Sequence, residues 1–185
     1  MHQRIEEVLA YLDARRNDLR AAVDMVPDDL RDQQPGPDRW SIAQVLDHLT
    51  MIDRRVGTGM KKWISDARAA GVGSEAATSS VANSLPTELI KDRRRKFDAP
   101  EEIRPRTDVD AKTAWAALER ARADLRAAFL EGDGLALGEV IKPHPVLGPI
   151  NVYQWVLFVG GHEARHTEQI RELANELKLD SAAAG

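Results

Sequence analysis

Four long stretches of the chain repeat apolar residues at spacings of three and four, the period of an amphipathic helix. They cover residues 2–26, a stretch that begins after Ser41, residues 111–130 and a stretch that begins after Asn151. A short additional helix is expected at residues 87–97. Gly- and Pro-rich segments separate the long stretches and predict loops between them.

Two of these helices have well-marked starts. Ser41 with Gln44, and Asn151 with Gln154, have the spacing of a capping box, in which each side chain bonds the backbone N–H of the other residue. Gly57 and Gly59 weaken the second helix, which leaves a kink or an early end open there.

The pattern predicts an all-α fold: a four-helix bundle with a short extra helix and long loops. No stretch alternates as a strand would, and the segment KPHPVLGPI is interpreted as a loop that leads into the last helix. A length of 185 residues suits one domain. We expect residues 1–180 to form a single bundle and residues 181–185 to form a C-terminal tail.

Composition narrows the partners and the location. Of the residues, 43% are hydrophobic and 30% are charged, as in a soluble globular protein, and the net charge of −4 is spread along the chain. We therefore expect no nucleic acid and no membrane partner. The expected partner is a small-molecule substrate. The N-terminus lacks a basic segment followed by an apolar run, so a cytoplasmic location is expected by default.

Cysteine is absent, which excludes disulfides, thiolate ligands and a cysteine nucleophile. Any metal must then use nitrogen and oxygen ligands, and any thiol must come from outside.

Three of the five histidines lie on inward-facing helical stripes. His162 and His166 are four residues apart, so both imidazoles project from one helix face and can reach one ion. His48 lies on the inward face of the second helix. One buried histidine is usually a hydrogen-bonded core residue, but three inward histidines favour a divalent metal. Three nitrogen ligands leave a coordination position open, as in catalytic sites.

The segments WSIAQVLDHLTMID and HPVLGPINVYQWVLFVGGHEARHTEQI resemble the DinB/YfiT-like superfamily. This resemblance extends over almost the whole chain. It implies a four-helix bundle, often a homodimer, in which His48, His162 and His166 hold a divalent metal such as zinc or nickel. Some relatives look like metal-dependent hydrolases, and others look like thiol S-transferases or isomerases that use a low-molecular-weight thiol.

The reaction stays open at this point. A metal-dependent thiol S-transferase is slightly favoured over a hydrolase, and the alternative is a non-catalytic bundle that binds a small ligand or uses the metal structurally. Asp47 and Glu163 are the nearest candidate bases, although each is rotated by about 100° from a ligand on its helix. A supporting or surface role is their ordinary interpretation.

Other polar residues have simpler explanations. The run from Arg93 to Lys96 is interpreted as a solvated helix face, with a site for an anionic substrate as the less favoured alternative. His144 is interpreted as a turn residue, with the entrance of the site as the alternative. His2 is expected to play no part, and Gly160 with Gly161 to allow close helix packing.

Overall fold

The computed structural model describes residues 1–94 and 99–183, with side chains as far as Glu176. Its long helices are α1 (Gln3–Asp24), α2 (Ile42–Ala69), α4 (Ala111–Leu130) and α5 (Val152–Ala183). A one-turn helix, α3 (Thr87–Lys91), lies in the connection between α2 and α4. The predicted all-α bundle is confirmed.

Two helix pairs make the bundle. α2 packs mainly along α4, α1 packs along α5, and α2 also contacts α5. Both predicted capping boxes are formed: Ser41 and Gln44 bond each other's backbone at 3.2 and 2.9 Å, and Asn151 and Gln154 do so at 2.9 Å. Each box satisfies backbone N–H groups that would otherwise lack partners at a helix start.

The core has two apolar clusters, one toward each end of the bundle. Representative members of one are Leu12, Val56, Leu125, Phe129 and Val159. Representative members of the other are Leu19, Leu46, Leu49, Leu118 and Ile170. Between them along the helices lie buried charged side chains, which are described below.

Glycine does not end the second helix, so the early end left open by the sequence is wrong. α2 continues to Ala69. A Cβ at Gly57 would lie 3.3 Å from the Cα of Leu125, so the missing side chain lets α2 and α4 approach closely. Packing between the helices outweighs the low helix propensity of glycine here.

The loop predicted ahead of α5 is instead a two-stranded hairpin. Strands β1 (Ile141–His144) and β2 (Gly148–Asn151) pair antiparallel, with Pro143 opposite Pro149 and His144 opposite Gly148. Proline cannot donate to the ladder, and each strand has only four residues, so the segment lacks the usual strand signals. Gly148 adopts a φ of 74°, which favours glycine at the end of this turn.

The short helix is briefer than expected. α3 ends at Lys91, and Asp92 has extended backbone. The predicted continuation of the helix to residue 97 is therefore wrong from Asp92 to Arg94. Residues 95–98, which include the end of the predicted helix, lie outside the described residues. None of the described helices carries an apolar stretch long enough to cross a bilayer.

Candidate metal centre

Three imidazole rings converge between α2 and α5. His48 comes from α2, and His162 and His166 come from successive turns of α5. One nitrogen from each ring lies within 4.8 Å of the other two. The Nε2 atoms of His48 and His162 are 3.5 Å apart. The helices thus bring together the three residues that the sequence singled out.

The outer nitrogens of two rings are held by hydrogen-bond acceptors. Nδ1 of His48 lies 2.7 Å from the carbonyl oxygen of Ile103, and Nδ1 of His166 lies 2.8 Å from Oε1 of Gln169. A carbonyl or amide oxygen accepts a proton, so in each neutral ring Nδ1 carries the hydrogen. The Nε2 atoms of His48 and His166 are then unprotonated lone-pair donors.

The third ring has a buried nitrogen without a partner. Nδ1 of His162 makes no hydrogen bond within the described part of the chain. An unpaired buried polar atom costs free energy. The other nitrogen of this ring, Nε2, lies 3.5 Å from Nε2 of His48. The position of His162 on α5 and its contacts with the rings of His48 and His166 hold the ring in place.

Burial keeps all three rings neutral. Desolvation is the main cause that lowers the pKa of His48, and it lowers that of His166 to about 3. The pKa of His162 is lowered well below its ordinary value, first by burial and then by His166 and His48. Neutral imidazole is the form that binds a metal.

Two aromatic rings lie next to the histidine cluster. The Trp40 ring lies 5.0 Å from the His48 ring and 6.3 Å from the His166 ring, between centroids. The Phe158 ring lies 5.5 Å from the His162 ring. Trp40 and Phe158 are both partly exposed, so they border the cluster where it approaches the surface.

Asp47 is engaged by an arginine from a loop. Its carboxylate accepts the backbone N–H of Arg106 at 2.9 Å and the guanidinium Nη2 at 2.7 Å. Burial tends to raise the pKa of this carboxyl, but the hydrogen bonds and charge of Arg106 outweigh it and hold the pKa below its ordinary value. Asp47 is buried in an ion pair and does not lie on the surface.

Glu163 is likewise buried and paired. Its carboxylate accepts from Arg16 at 3.0 and 3.1 Å and from Arg122 at 2.5 Å. Asp53 completes the group, because Arg122 also donates to it at 2.8 Å. Glu163, like Asp47, is therefore not a surface residue, and its carboxylate is paired with the guanidinium groups of Arg16 in α1 and Arg122 in α4.

The remaining candidates have structural contacts. Arg93 forms a two-bond ion pair with Glu172, and Arg94 pairs with Asp92, both beyond the end of α3. The other two members of the basic run, Arg95 and Lys96, lie outside the described residues. The available pairs agree with a surface role, although not with a helix face.

His2 has a role that the sequence did not indicate. Its ring accepts the backbone N–H of Arg4 and caps α1, while its own backbone N–H donates to Asp133 at 2.7 Å. Gly160 has the packing role that was expected, because a Cβ there would overlap the ring of Tyr11. His144 accepts hydrogen bonds from the turn of the hairpin, as a turn residue does.

Sequence reasoning missed the two acceptors that orient the rings. Gln169 had a usable signal, since it lies three residues after His166 on one helix face. Ile103 had none, because a backbone carbonyl far away in the sequence leaves no trace in the pattern of side chains.

The fold and the cluster define a helical-bundle protein in which three histidines are arranged as a group that could hold a metal ion. The chain belongs to the DinB superfamily, whose family model matches residues 4–170. The uncharacterized protein YuaE of Bacillus subtilis (strain 168) is 30% identical over 154 residues, covering 82% of this chain and 87% of that protein. No solved structure shows a significant match.

Proposed function

We propose that the protein is a divalent-metal-dependent enzyme, and that its reaction is the transfer of an external low-molecular-weight thiol to a small electrophilic substrate. His48, His162 and His166 would bind the metal, with zinc or nickel as the candidates. The thiol and the substrate are small molecules. A homodimer, and the absence of nucleic-acid and membrane partners, stay predictions.

The observation that carries the proposal is the fixed tautomer of two of the three rings. Ile103 and Gln169 hold the Nδ1 hydrogens of His48 and His166, so both Nε2 lone pairs are available to the cluster. These two nitrogens and a nitrogen of His162 lie within 4.8 Å of one another. Burial keeps the rings of His48 and His166 neutral, and neutral imidazole is the form that binds a metal, which supports a cation in this group.

The spacing of the nitrogens also fits a metal. Two imidazole nitrogens that bind one zinc at roughly 2.0–2.1 Å with a tetrahedral angle are about 3.4 Å apart. The Nε2 atoms of His48 and His162 are 3.5 Å apart. Acceptors behind the ligand rings are also the usual support of histidine metal sites.

Three nitrogen ligands leave room for another group. A divalent cation held there would act as a Lewis acid that favours the deprotonated form of a thiol or water beside it. The chain itself would position the reactants: Trp40 and Phe158 border the cluster with apolar surface and limit water around it.

The carboxylates favour a thiol over water as the nucleophile. A hydrolase of this kind generally needs a base to take a proton from the attacking water. Both candidate bases form ion pairs instead. Asp47 pairs with Arg106, and Glu163 pairs with Arg16 and Arg122. A thiol ionises more readily than water and does not require such a base.

The test is thiol-dependent loss of monobromobimane, measured above the spontaneous rate, on zinc- and nickel-loaded protein. The thiol sulfur forms a bond to carbon, bromide leaves, and the thiol proton passes to solvent. We expect activity with wild type and with His2→Ala, and its loss in His162→Ala. Hydrolysis of simple esters without thiol would instead favour a hydrolase, and loss of neither reagent would favour a non-catalytic bundle.

A further inference from the structure

His144 is a buried histidine outside the cluster, and only one of its two ring nitrogens makes hydrogen bonds within the described residues. It lies at the end of β1 and is 6% exposed. Its Nδ1 accepts the backbone N–H groups of Val146 at 3.2 Å and Leu147 at 3.1 Å. These two bonds close the turn of the hairpin and fix the orientation of the ring.

The same bonds determine where the ring proton lies. A nitrogen that accepts two N–H groups carries no hydrogen itself, so the hydrogen of the neutral ring is on Nε2. Within the part of the chain that the structure describes, Nε2 of His144 has no hydrogen-bond acceptor. His144 therefore presents a neutral, pre-oriented donor that the folded protein does not use.

This donor lies one ring away from the cluster. The centroid of the His144 ring lies 4.2 Å from that of the Phe158 ring, and the Phe158 centroid lies 5.5 Å from that of the His162 ring. A small molecule lying along Phe158 could touch both histidines. The hairpin and α5 thus place a hydrogen-bond donor and the candidate metal centre along one aromatic side chain.

Further aromatic side chains lie beside His144. Its ring also contacts that of Trp155 at 4.7 Å between centroids, and Trp155 in turn contacts Trp63 at 5.0 Å. Trp63 and Phe158 are partly exposed, so this group of rings reaches the surface. A flat apolar ligand can pack against aromatic rings of this kind.

We propose that Nε2–H of His144 is a specificity determinant that donates a hydrogen bond to the carbonyl oxygen of a neutral substrate with a flat apolar body. The inference rests on the proposed function only in placing the reacting end of that substrate at the three-histidine cluster. A substrate carboxylate would lose its hydration among these rings, and one hydrogen bond from a neutral donor does not offset that cost in free energy. A neutral carbonyl oxygen is satisfied by one hydrogen bond.

Two substitutions separate this role from that of a turn cap. In His144→Asn the amide oxygen takes the place of Nδ1, so the turn keeps its acceptor while the distal donor is lost. In His144→Gln the amide nitrogen takes the place of Nε2, so the donor is kept while the cap is lost. A purely structural His144 requires the opposite order of effects on binding.

The experiment compares acetophenone with ethylbenzene, which differ in having a carbonyl or a methylene, on the full-length zinc-treated protein by tryptophan fluorescence. We expect wild type to bind acetophenone roughly five- to tenfold more tightly, the worth of one hydrogen bond. His144→Asn should lose this preference and His144→Gln should keep most of it. In wild type, acetophenone should also shift the imidazole N–H resonance of His144, and ethylbenzene should not.

Equal affinities in wild type, no saturable binding of acetophenone, or an unchanged preference in His144→Asn would each overturn the inference. Zinc content measured on the same samples keeps the two proposals apart. A protein without zinc that still prefers acetophenone contradicts the metal-dependent function and supports the His144 site. A zinc-loaded protein without the preference contradicts the His144 site alone.

Discussion

Arg122 of α4 donates through Nη2 to the Glu163 carboxylate at 2.5 Å, and Glu163 directly follows His162 on α5. The pair joins the two helices inside the bundle, where both side chains are almost inaccessible to solvent. Because His162 and Glu163 are neighbours about 100° apart on the helix, the ion pair holds Glu163 toward α4 while His162 lies on the face toward α2. Together with the packing of α5 on α1 and α2, it restrains the rotation of α5 that places His162 and His166 beside His48.

Asp53 of α2 and Arg16 of α1 extend the pair into a layer that all four long helices share. Arg122 donates to Asp53 at 2.8 Å, and Arg16 donates to Glu163 at 3.0 Å. Each member lies between residues of the two apolar clusters along its own helix. Breaking one partnership leaves a buried charge without compensation, which is strongly destabilising.

We predict that Glu163→Gln lowers the free energy of unfolding by about 3 kcal/mol, since Arg16 and Arg122 lose a shared counter-charge in the interior. Urea denaturation measures the change. Glu168→Gln is the matched control, because Glu168 is exposed and, among the described residues, its ion pair is with Arg171 on the same helix. That control should cost less than about 0.5 kcal/mol. Equal effects of the two substitutions would contradict a structural role for the buried layer.

Two neighbouring glycines of α5 give a second prediction. A Cβ at Gly160 would overlap the Tyr11 ring, so Gly160→Ala should destabilise the protein by about 1–3 kcal/mol. A Cβ at Gly161 would meet its nearest neighbours, Ile90 and Thr87, at ordinary contact distances of 3.5–3.6 Å. Gly161→Ala should therefore be neutral or stabilising by up to about 1 kcal/mol. Thermal unfolding of the two variants tests this opposite ordering.

The third prediction concerns acid stability without metal. Burial lowers the pKa of His144 from 6.5 to about 4, so the folded protein binds fewer protons at this site than the unfolded chain does. The lowered pKa of His144 therefore makes the free energy of unfolding depend on pH: its contribution is fully present above about pH 6.5 and is lost as the pH falls from 6.5 toward 4. Wild type should thus lose more stability than His144→Asn over this range in metal-free denaturation curves. Parallel curves would show that His144 titrates normally.

The fourth prediction isolates the support of His166. Gln169→Ala removes the acceptor of the Nδ1 hydrogen, so the ring loses its fixed orientation and tautomer. Zinc affinity should fall roughly 10- to 100-fold while the stoichiometry at saturating zinc is kept. Competition with a chromophoric chelator measures the affinity, and Glu168→Ala on the exposed side serves as the control. Equal affinities of Gln169→Ala and wild type would remove Gln169 from the site.

Local patterns predicted much of this structure. The three- and four-residue spacing predicted the long helices, and Ser41 with Asn151 predicted two helix starts. The same spacing identified the three histidines, because a side chain's face on a helix follows from its position in the sequence.

What the sequence could not indicate depends on contacts between distant segments. The carbonyl of Ile103 reaches His48 across 55 positions, and Arg122 reaches Glu163 across 41. The hairpin that carries His144 was missed because its prolines obscure the alternation of a strand. The first two contacts arise only when distant segments pack, whereas the hairpin is local and was hidden by its composition.

Elemental mass spectrometry of the metal content tests whether His48, His162 and His166 hold a metal ion. Untagged wild type, His162→Ala and His2→Ala would be compared after incubation with zinc or nickel and removal of excess metal. We expect close to one metal ion per chain in wild type and His2→Ala, and loss of it in His162→Ala. Wild type that stays empty, or His162→Ala that stays loaded, would contradict a metal centre on these three histidines.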